Sequence, residues 1–355
     1  EGCLATLNFG SRVKENFAAH DKLFPDSPKM CMEMWNGWFD AWGDEKHHTT
    51  SAEDYAKALD DMLSKGSVNM YMFIGGTNFG FTSGANHYEK FAPDVTSYDY
   101  DALLTESGDI TPKYLAVREV IQRHTGAELP DIPPARKKKA FGRVEFTESA
   151  LLTDNLGALS STLNRDYKDS TLWFESLGDR AQVYVNDALC GIVYVNDDKP
   201  EVKFSASAGD KLFILVENMG RANFGSKMMR KKGIAGRCLI DSKIHFNWTV
   251  YPLPMDNLDK LCFKPAKPGR AMAFYRGTFT ADEPADTFLS TEGFTKGFVL
   301  VNGFNIGRYW KAGPQKRLFV PASVIKPGKN QVVLFESDAL PDDAAVTFMS
   351  QPDLG

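Results

Sequence analysis

The chain has 355 residues, 43% apolar and 25% charged, with a formal net charge of −5. That length exceeds one ordinary core and predicts two or three domains of globular composition, while the mild acidity argues against a general nucleic-acid binder. No apolar run approaches the roughly 20 residues of a membrane-spanning helix. Aromatic residues make up 12%, which suits sugar-stacking surfaces and β-sandwich cores alike. Cys3, Cys31, Cys190, Cys238 and Cys262 are odd in number and lack metal-ligand spacing, so they read mostly as small buried hydrophobes. The opening Glu-Gly-Cys-Leu-Ala-Thr has no initiator Met and no signal-peptide character. It predicts numbering that begins inside a longer polypeptide.

Residues 1–125 read as α/β. Lys29–Trp35 is expected to be a buried strand. Ser51, with Asp54 at the capping-box position, starts a helix whose buried stripe is Tyr55, Leu59, Met62 and Leu63, with Gly66 as terminator. Val68–Ile74 forms a second strand ending in Gly75-Gly76, and Thr111-Pro112 opens another helix. Strand, helix, strand, helix is the repeat of a parallel sheet. Residues 126–140, rich in proline and ending in Arg136-Lys-Lys-Lys139, read as an exposed, solvated linker.

From 141 onward, short runs of Val, Phe and Tyr alternate with Gly, Asn, Asp and Pro turns, an all-β pattern. Ala181-Gln-Val-Tyr-Val-Asn-Asp-Ala-Leu-Cys-Gly191 and Gly297-Phe-Val-Leu-Val-Asn-Gly-Phe-Asn-Ile-Gly307 repeat one hairpin with Asn at the turn. Each is followed by a Gly-led strand, from Gly209 and from Gly328. Two related β-sandwiches are predicted, over 141–265 and 266–355.

The chemistry concentrates near the N-terminus. In Met32-Glu-Met-Trp-Asn-Gly-Trp-Phe-Asp-Ala-Trp-Gly43 one carboxylate ends an apolar strand beside three tryptophans. Barrel enzymes carry catalytic groups at the C-terminal ends of strands, so Glu33 is either such a group or a carboxylate paired with a neighbouring cation. Gly75-Gly-Thr-Asn-Phe-Gly80 allows close backbone approach to a ligand. Ser97-Tyr-Asp-Tyr-Asp101 sets two phenols and two carboxylates in five residues, and phenols both donate to and accept from sugar hydroxyls. Asp99 and Asp101 are alternative acids, though a binding role suits the segment better. His47-His48 reads as polar surface loop, with no carboxylate pattern for a metal.

These motifs together resemble glycoside hydrolase family 35. They are Cys31–Gly43, Asn69-Met-Tyr-Met-Phe-Ile-Gly-Gly-Thr-Asn-Phe-Gly80 and Thr96-Ser-Tyr-Asp-Tyr-Asp-Ala102. Asp179–Val185, Gly220-Arg-Ala-Asn-Phe-Gly225, Val301–Trp310 and Gly313-Pro-Gln315 add to them. The resemblance spans nearly the whole chain. It implies the C-terminal part of a TIM (β/α)8 barrel followed by two galactose-binding-like β-sandwich (jelly-roll) domains. It further implies a retaining exo-β-galactosidase that removes terminal β-D-galactose without cofactor or metal. Glu33 would be the nucleophile, and Trp38, Tyr71, Tyr98 and Tyr100 would contact the sugar. Phe224, standing where many members have Tyr, would reach the site mouth. Trp42 would be a further wall or simply core.

Retention needs two carboxyl groups about 5 Å apart. The family's acid/base lies in an Asn-Glu segment well upstream of the nucleophile, but only 32 residues precede Glu33 and none matches. The expected partners are therefore β-galactosides and an N-terminal portion of the same enzyme, with no nucleic acid. The alternatives are a non-catalytic carbohydrate-binding protein, or an exo-glycosidase for another β-linked sugar such as glucosamine. The compartment stays open, with a periplasmic or secreted location favoured over the cytoplasm.

Overall fold

The computed structural model of the chain describes residues 3–155, 160–266, 272–338 and 344–355. Strands β1 (Leu7–Asn8), β2 (Met30–Trp35) and β3 (Ser67–Tyr71) form a parallel sheet in that order. Parallel neighbours need long crossovers, supplied here by helices α1 (Val13–Leu23) and α2 (Ala52–Leu63). Among the described residues these strands do not close into a barrel. Helix α2 begins as its sequence predicts, with Ser51 Oγ accepting from the Asp54 N–H at 3.0 Å and Tyr55, Leu59 and Met62 buried. Its end differs. Ser64 caps it in a right-handed conformation, and Gly66 is required for room, since a Cβ there would sit 2.7 Å from the Lys29 carbonyl oxygen.

Strand β3 stops at Tyr71, short of the expected Ile74, because the side chain of Asn36 captures the next peptide. Its Nδ2 donates to Met72 O at 2.5 Å and its Oδ1 accepts from Met72 N at 3.2 Å. Helix α3 (Pro112–Thr125) follows, capped by Thr111, with Pro112 in its first turn. Phe9, Phe17, Met34, Tyr55, Leu59 and Val117 make this unit's shared core. Between β3 and α3, β4 (Gly84–His87) and β5 (Phe91–Pro93) form an antiparallel pair.

The remainder is two β-sandwiches, but not in series. One packs a sheet ordered Ala188–Tyr194, Arg180–Val185, Lys211–Glu217, Ser160–Thr162 against another ordered Glu201–Ala206, Tyr167–Phe174, Cys238–Ile240, Lys243–Ile244. Leu172, Phe174, Val183 and Phe204 lie between them. The other sandwich includes Gly142–Glu145, paired with Ala345–Met349, and Glu148–Leu151, paired with Ala273–Ala281. It therefore starts at 142, breaks off after 151 and resumes with Lys264–Pro265. The expected serial division at 265 is corrected: the first sandwich is an insertion in the second. The apolar alternation of Val144, Phe146 and Ala150 suits either core, and only their partners decide which.

The predicted repeat is structural. Both hairpins turn on an asparagine in the left-handed region, Asn186 (φ 54°) and Asn302 (φ 51°). Both carry a register irregularity just before the turn, at Val183/Tyr184 and Val299/Leu300. Residues 126–137 are irregular and mostly exposed, while the three lysines that end the segment find acidic partners: Lys138 pairs with Asp109, Lys137 with Glu283, and Lys139 lies 3.2 Å from Asp282. The basic run is strapped to acidic groups on both sides of it. Of the cysteines, Cys31 and Cys238 are buried as expected, whereas Cys3 and Cys262 are exposed.

Both sandwiches grip the α/β unit. Arg221–Ala222 of the first adds to β4 as a parallel strand. From the second, Trp310 meets Trp42 at 6.4 Å, Gly313 O accepts from Gly43 N at 2.9 Å, and Asn305 O accepts from Gly80 N at 3.0 Å. Trp42 is thus junction core. The sandwiches join each other through buried ions: Arg180 holds Asp338 with bonds of 2.6 and 2.8 Å, and Lys296 holds Glu217 at 2.7 Å.

Candidate active site

Glu33 lies near the C-terminal end of β2, the middle strand, with its side chain half-buried. Alternation along a strand puts residues i and i+2 on one face, so Trp35 stands beside it and donates from Nε1 to Glu33 Oε2 at 3.1 Å. Trp35 is paired across the ladder with Tyr71, the last residue of β3. The ends of two parallel strands therefore deliver a carboxylate, an indole and a phenol to one place.

The Ser97–Asp101 segment, a turn and not a strand, supplies the rest. Its tyrosines project one way. Tyr100 meets the Tyr71 ring edge-on at 5.6 Å, lies 6.3 Å from Trp38 and stacks on Tyr98 at 5.6 Å. Tyr98 also stacks on Phe39 at 5.7 Å, and Phe39 on Trp38 at 5.0 Å. Burial, then Tyr71 and Glu33, push the Tyr100 phenol up, and burial with Tyr71 does the same to Tyr98. Both stay protonated at any physiological pH and keep a hydroxyl to donate.

The aspartates project the other way, into the protein. Asp101 Oδ2 accepts from Thr50 N at 2.6 Å and from Lys113 Nζ at 2.5 Å. Lys113, nearly inaccessible on α3, also donates to the carbonyls of Asn36 at 2.6 Å and Asp101 at 2.7 Å. Asp99 accepts from the backbone N–H of Asp101 at 3.2 Å and of Glu106 at 2.7 Å. Neither carboxylate is free to act as the alternative acid.

Close backbone approach explains two glycines. A Cβ on Gly37 would lie 2.0 Å from Tyr100 O, and one on Gly75 would lie 1.6 Å from Tyr98 O. Tyr100 and Asp101 have φ of 65° and 52°, a costly conformation for non-glycine residues. Lys113 and these close contacts hold it in place.

Several supporting groups escaped sequence reasoning. Glu106 is buried, and its Oε1 accepts from Thr77 Oγ1 at 2.6 Å, tying the Gly75–Thr77 turn to the tyrosine segment. Burial pushes its carboxyl up to about 8, against the hydrogen bonds from Thr77 and Ser97. Burial likewise pushes Asp94 up to about 7. From the second sandwich, Gln315 Oε1 accepts from Ser97 N at 2.9 Å, and Arg308 O accepts from Thr96 Oγ1 at 2.7 Å. Only Asn36, immediately after the apolar run, and Gln315, within a motif, carried a local signal.

His47 departs from the surface-loop expectation, with its side chain 13% exposed, whereas His48 is exposed. Asp40, seven residues upstream, turns inward and takes both: His47 Nδ1 at 2.7 Å, and His48 through N at 2.9 Å and Nδ1 at 2.8 Å. Asp40, Asp44 and His48 bring three potential ligand atoms within 4.8 Å, but Asp40 and His48 are already bonded to each other.

Glu33, Trp38, Tyr71, Tyr98 and Tyr100 thus come together. Phe224 does not join their ring contacts. It is 67% exposed, two residues beyond the short strand that docks on β4.

An open carboxylate thus stands at a strand end, walled by indoles and phenols. Comparison with known proteins places the sequence as follows. Residues 1–124 match the model of glycosyl hydrolases family 35. Residues 158–254 match the beta-galactosidase first all-beta domain, and 272–330 the beta-galactosidase galactose-binding domain. The chain is 36% identical over 413 residues to a beta-galactosidase of Bos taurus, covering 99% of this chain and 63% of that protein. It is 36% identical to a beta-galactosidase of Xanthomonas manihotis, covering 90% of this chain and 58% of that protein. Beta-galactosidase-1-like protein 3 of Homo sapiens is also 36% identical, with 95% and 56% covered. The chain belongs to glycosyl hydrolases family 35. It spans about six-tenths of the length of these relatives.

Proposed function

We propose that this chain carries the nucleophile half of a retaining exo-β-galactosidase site. Glu33 attacks the anomeric carbon of a terminal β-D-galactose and forms a galactosyl-enzyme, which water then hydrolyses. Trp38, Tyr71, Tyr98 and Tyr100 bind the sugar: ring faces pack on its C–H surface, and phenols exchange hydrogen bonds with its hydroxyls. Phe224, exposed beside the α/β unit, lines the approach on the leaving-group side. The single observation that carries this reading is the convergence of Glu33 with those four rings at the ends of adjacent parallel strands.

The acid/base carboxyl comes from polypeptide outside these 355 residues, and β2 and β3 belong to a TIM barrel completed by it. Support comes from the length of the relatives and from apolar side chains left uncovered on this unit, with Met32 44%, Phe73 49% and Ile74 41% exposed. An isolated sheet with such edges and faces is unstable alone.

A 2-fluorogalactoside, which slows turnover of the galactosyl-enzyme, should label the full-length protein at Glu33, located by peptide mass mapping. Glu33→Gln should abolish both labelling and turnover. Labelling elsewhere would reject the assignment. Sugar binding with neither label nor turnover would favour the carbohydrate-binding alternative, and faster turnover of a β-glucosaminide would change the sugar.

A further inference from the structure

Beneath the tyrosine segment lies a charged bridge that no motif announced. His47 Nδ1 is 2.7 Å from Asp40 Oδ2, and its Nε2 is 3.5 Å from Asp99 Oδ1. Asp99 is the residue between Tyr98 and Tyr100. The imidazole thus joins the loop after Trp38 and Phe39 to the segment bearing the two phenols. All three side chains are largely buried, at 13% exposure for His47, 5% for Asp40 and 12% for Asp99. With a carboxylate facing each ring nitrogen, both nitrogens must be N–H donors, so the ring is an imidazolium.

We propose that His47 is a positioning residue for the sugar site: its imidazolium, clamped between Asp40 and Asp99, fixes Tyr98 and Tyr100 against Trp38 in the arrangement that receives the galactose ring. This rests on the reading of the site given above.

The electrostatics agree with the geometry. Burial opposes the charge, yet the bonds to Asp40 and Asp99 override it and push His47 up to about 10. On the far side of Asp40, His48 Nδ1 approaches at 2.8 Å, with Asp44 Oδ2 3.8 Å from the same nitrogen. Asp99 is held from the other side by the N–H groups of Asp101 and Glu106, and Lys113 pairs with the adjacent Asp101. The bridge is therefore continuous from the Trp38 loop to the tyrosines. Removing it leaves the aromatic rings in place in the chain but frees the segment that orients them, an arrangement whose tolerance is about 0.5 Å.

The test uses the full-length protein, with galactose binding by calorimetry and turnover of an aryl β-galactoside. His47→Gln is expected to raise the galactose Kd and the KM about tenfold, the value of one charge-assisted hydrogen bond, while kcat changes less than about threefold. Asp40→Asn removes the stronger partner and lowers the imidazolium's pKa. Galactose affinity in that variant should then fall with rising pH at a lower pH than in wild type, because the proton is lost earlier, and the His47→Gln/Asp40→Asn double variant should lack that step. Wild type, holding its proton to about 10, should show no such step below that pH. A role in stability alone would lower Tm and leave Kd, KM and pH profile unmoved. If His47→Gln does not fold, the Asp40→Asn pH profile decides. A Kd within twofold of wild type in His47→Gln, or a flat profile in Asp40→Asn, overturns the inference alone. A wild type that neither binds galactose nor labels at Glu33 overturns the galactose reading and this inference with it.

Discussion

The second sandwich and the tyrosine segment are both well ordered, by opposite means. In the sandwich, Phe279, Leu289, Val299, Leu334 and Phe348 from two sheets interlock in an apolar core. Around Ser97–Asp101, backbone in an unfavourable conformation is held by polar groups from four directions: Lys113 from α3, Glu106 and His47 from loops, and Gln315 from the sandwich itself. Apolar packing is non-directional and fills a volume. Hydrogen bonds to fixed carbonyls and carboxylates set orientation. The fold uses the first to be stable and the second to aim its rings.

Breaking each region should therefore give different signatures. The largest effect on stability is expected for Phe348→Ala, fully buried and 4.5 Å ring to ring from Phe279. The cost is about 4 kcal/mol by urea denaturation, with galactose Kd unchanged in the folded fraction. Lys113→Ala should cost about 3 kcal/mol, since it strands Asp101 and two carbonyls, and should in addition weaken galactose binding at least tenfold. Equal binding in the two folded variants would erase the distinction between regions.

Legibility in the sequence followed the same division. The hairpin repeat, the α2 and α3 starts and the strand carrying Glu33 were all readable, because periodicity and capping are local. The insertion of one sandwich in the other was not, since Val144 and Ala150 alternate correctly for either core and their partners lie far along the chain, at 345–349 and 273–281. In the site, the motif order pointed to Glu33, Trp38 and the tyrosines. It could not reveal Asp40 folding back on His47, or Glu106 buried against Thr77. A carboxylate's partner is set by tertiary approach, and nothing in Leu-Thr-Glu-Ser distinguishes a buried glutamate from a surface one. The Arg136–Lys139 run shows the converse: its three lysines look unpaired until their acidic partners are placed.

The smallest predicted change sharpens the comparison most, because it leaves the packing nearly untouched. Glu106 in the folded protein keeps its proton up to about 8, whereas in the unfolded chain it ionises near the ordinary value of about 4.3. Between those values the native state binds more protons than the unfolded state, so this group makes stability fall as pH rises, the loss beginning above about 4.3 and complete near 8. Glu106→Gln keeps an acceptor for Thr77 and removes the titration. Its Tm should match wild type within about 2 °C at pH 5 and exceed it at pH 8, with the pH slope of Tm shallower throughout that window. An unchanged slope would mean that Glu106 ionises in place at ordinary pH, and that the turn it ties to the tyrosine segment tolerates a buried negative charge beside Asp99.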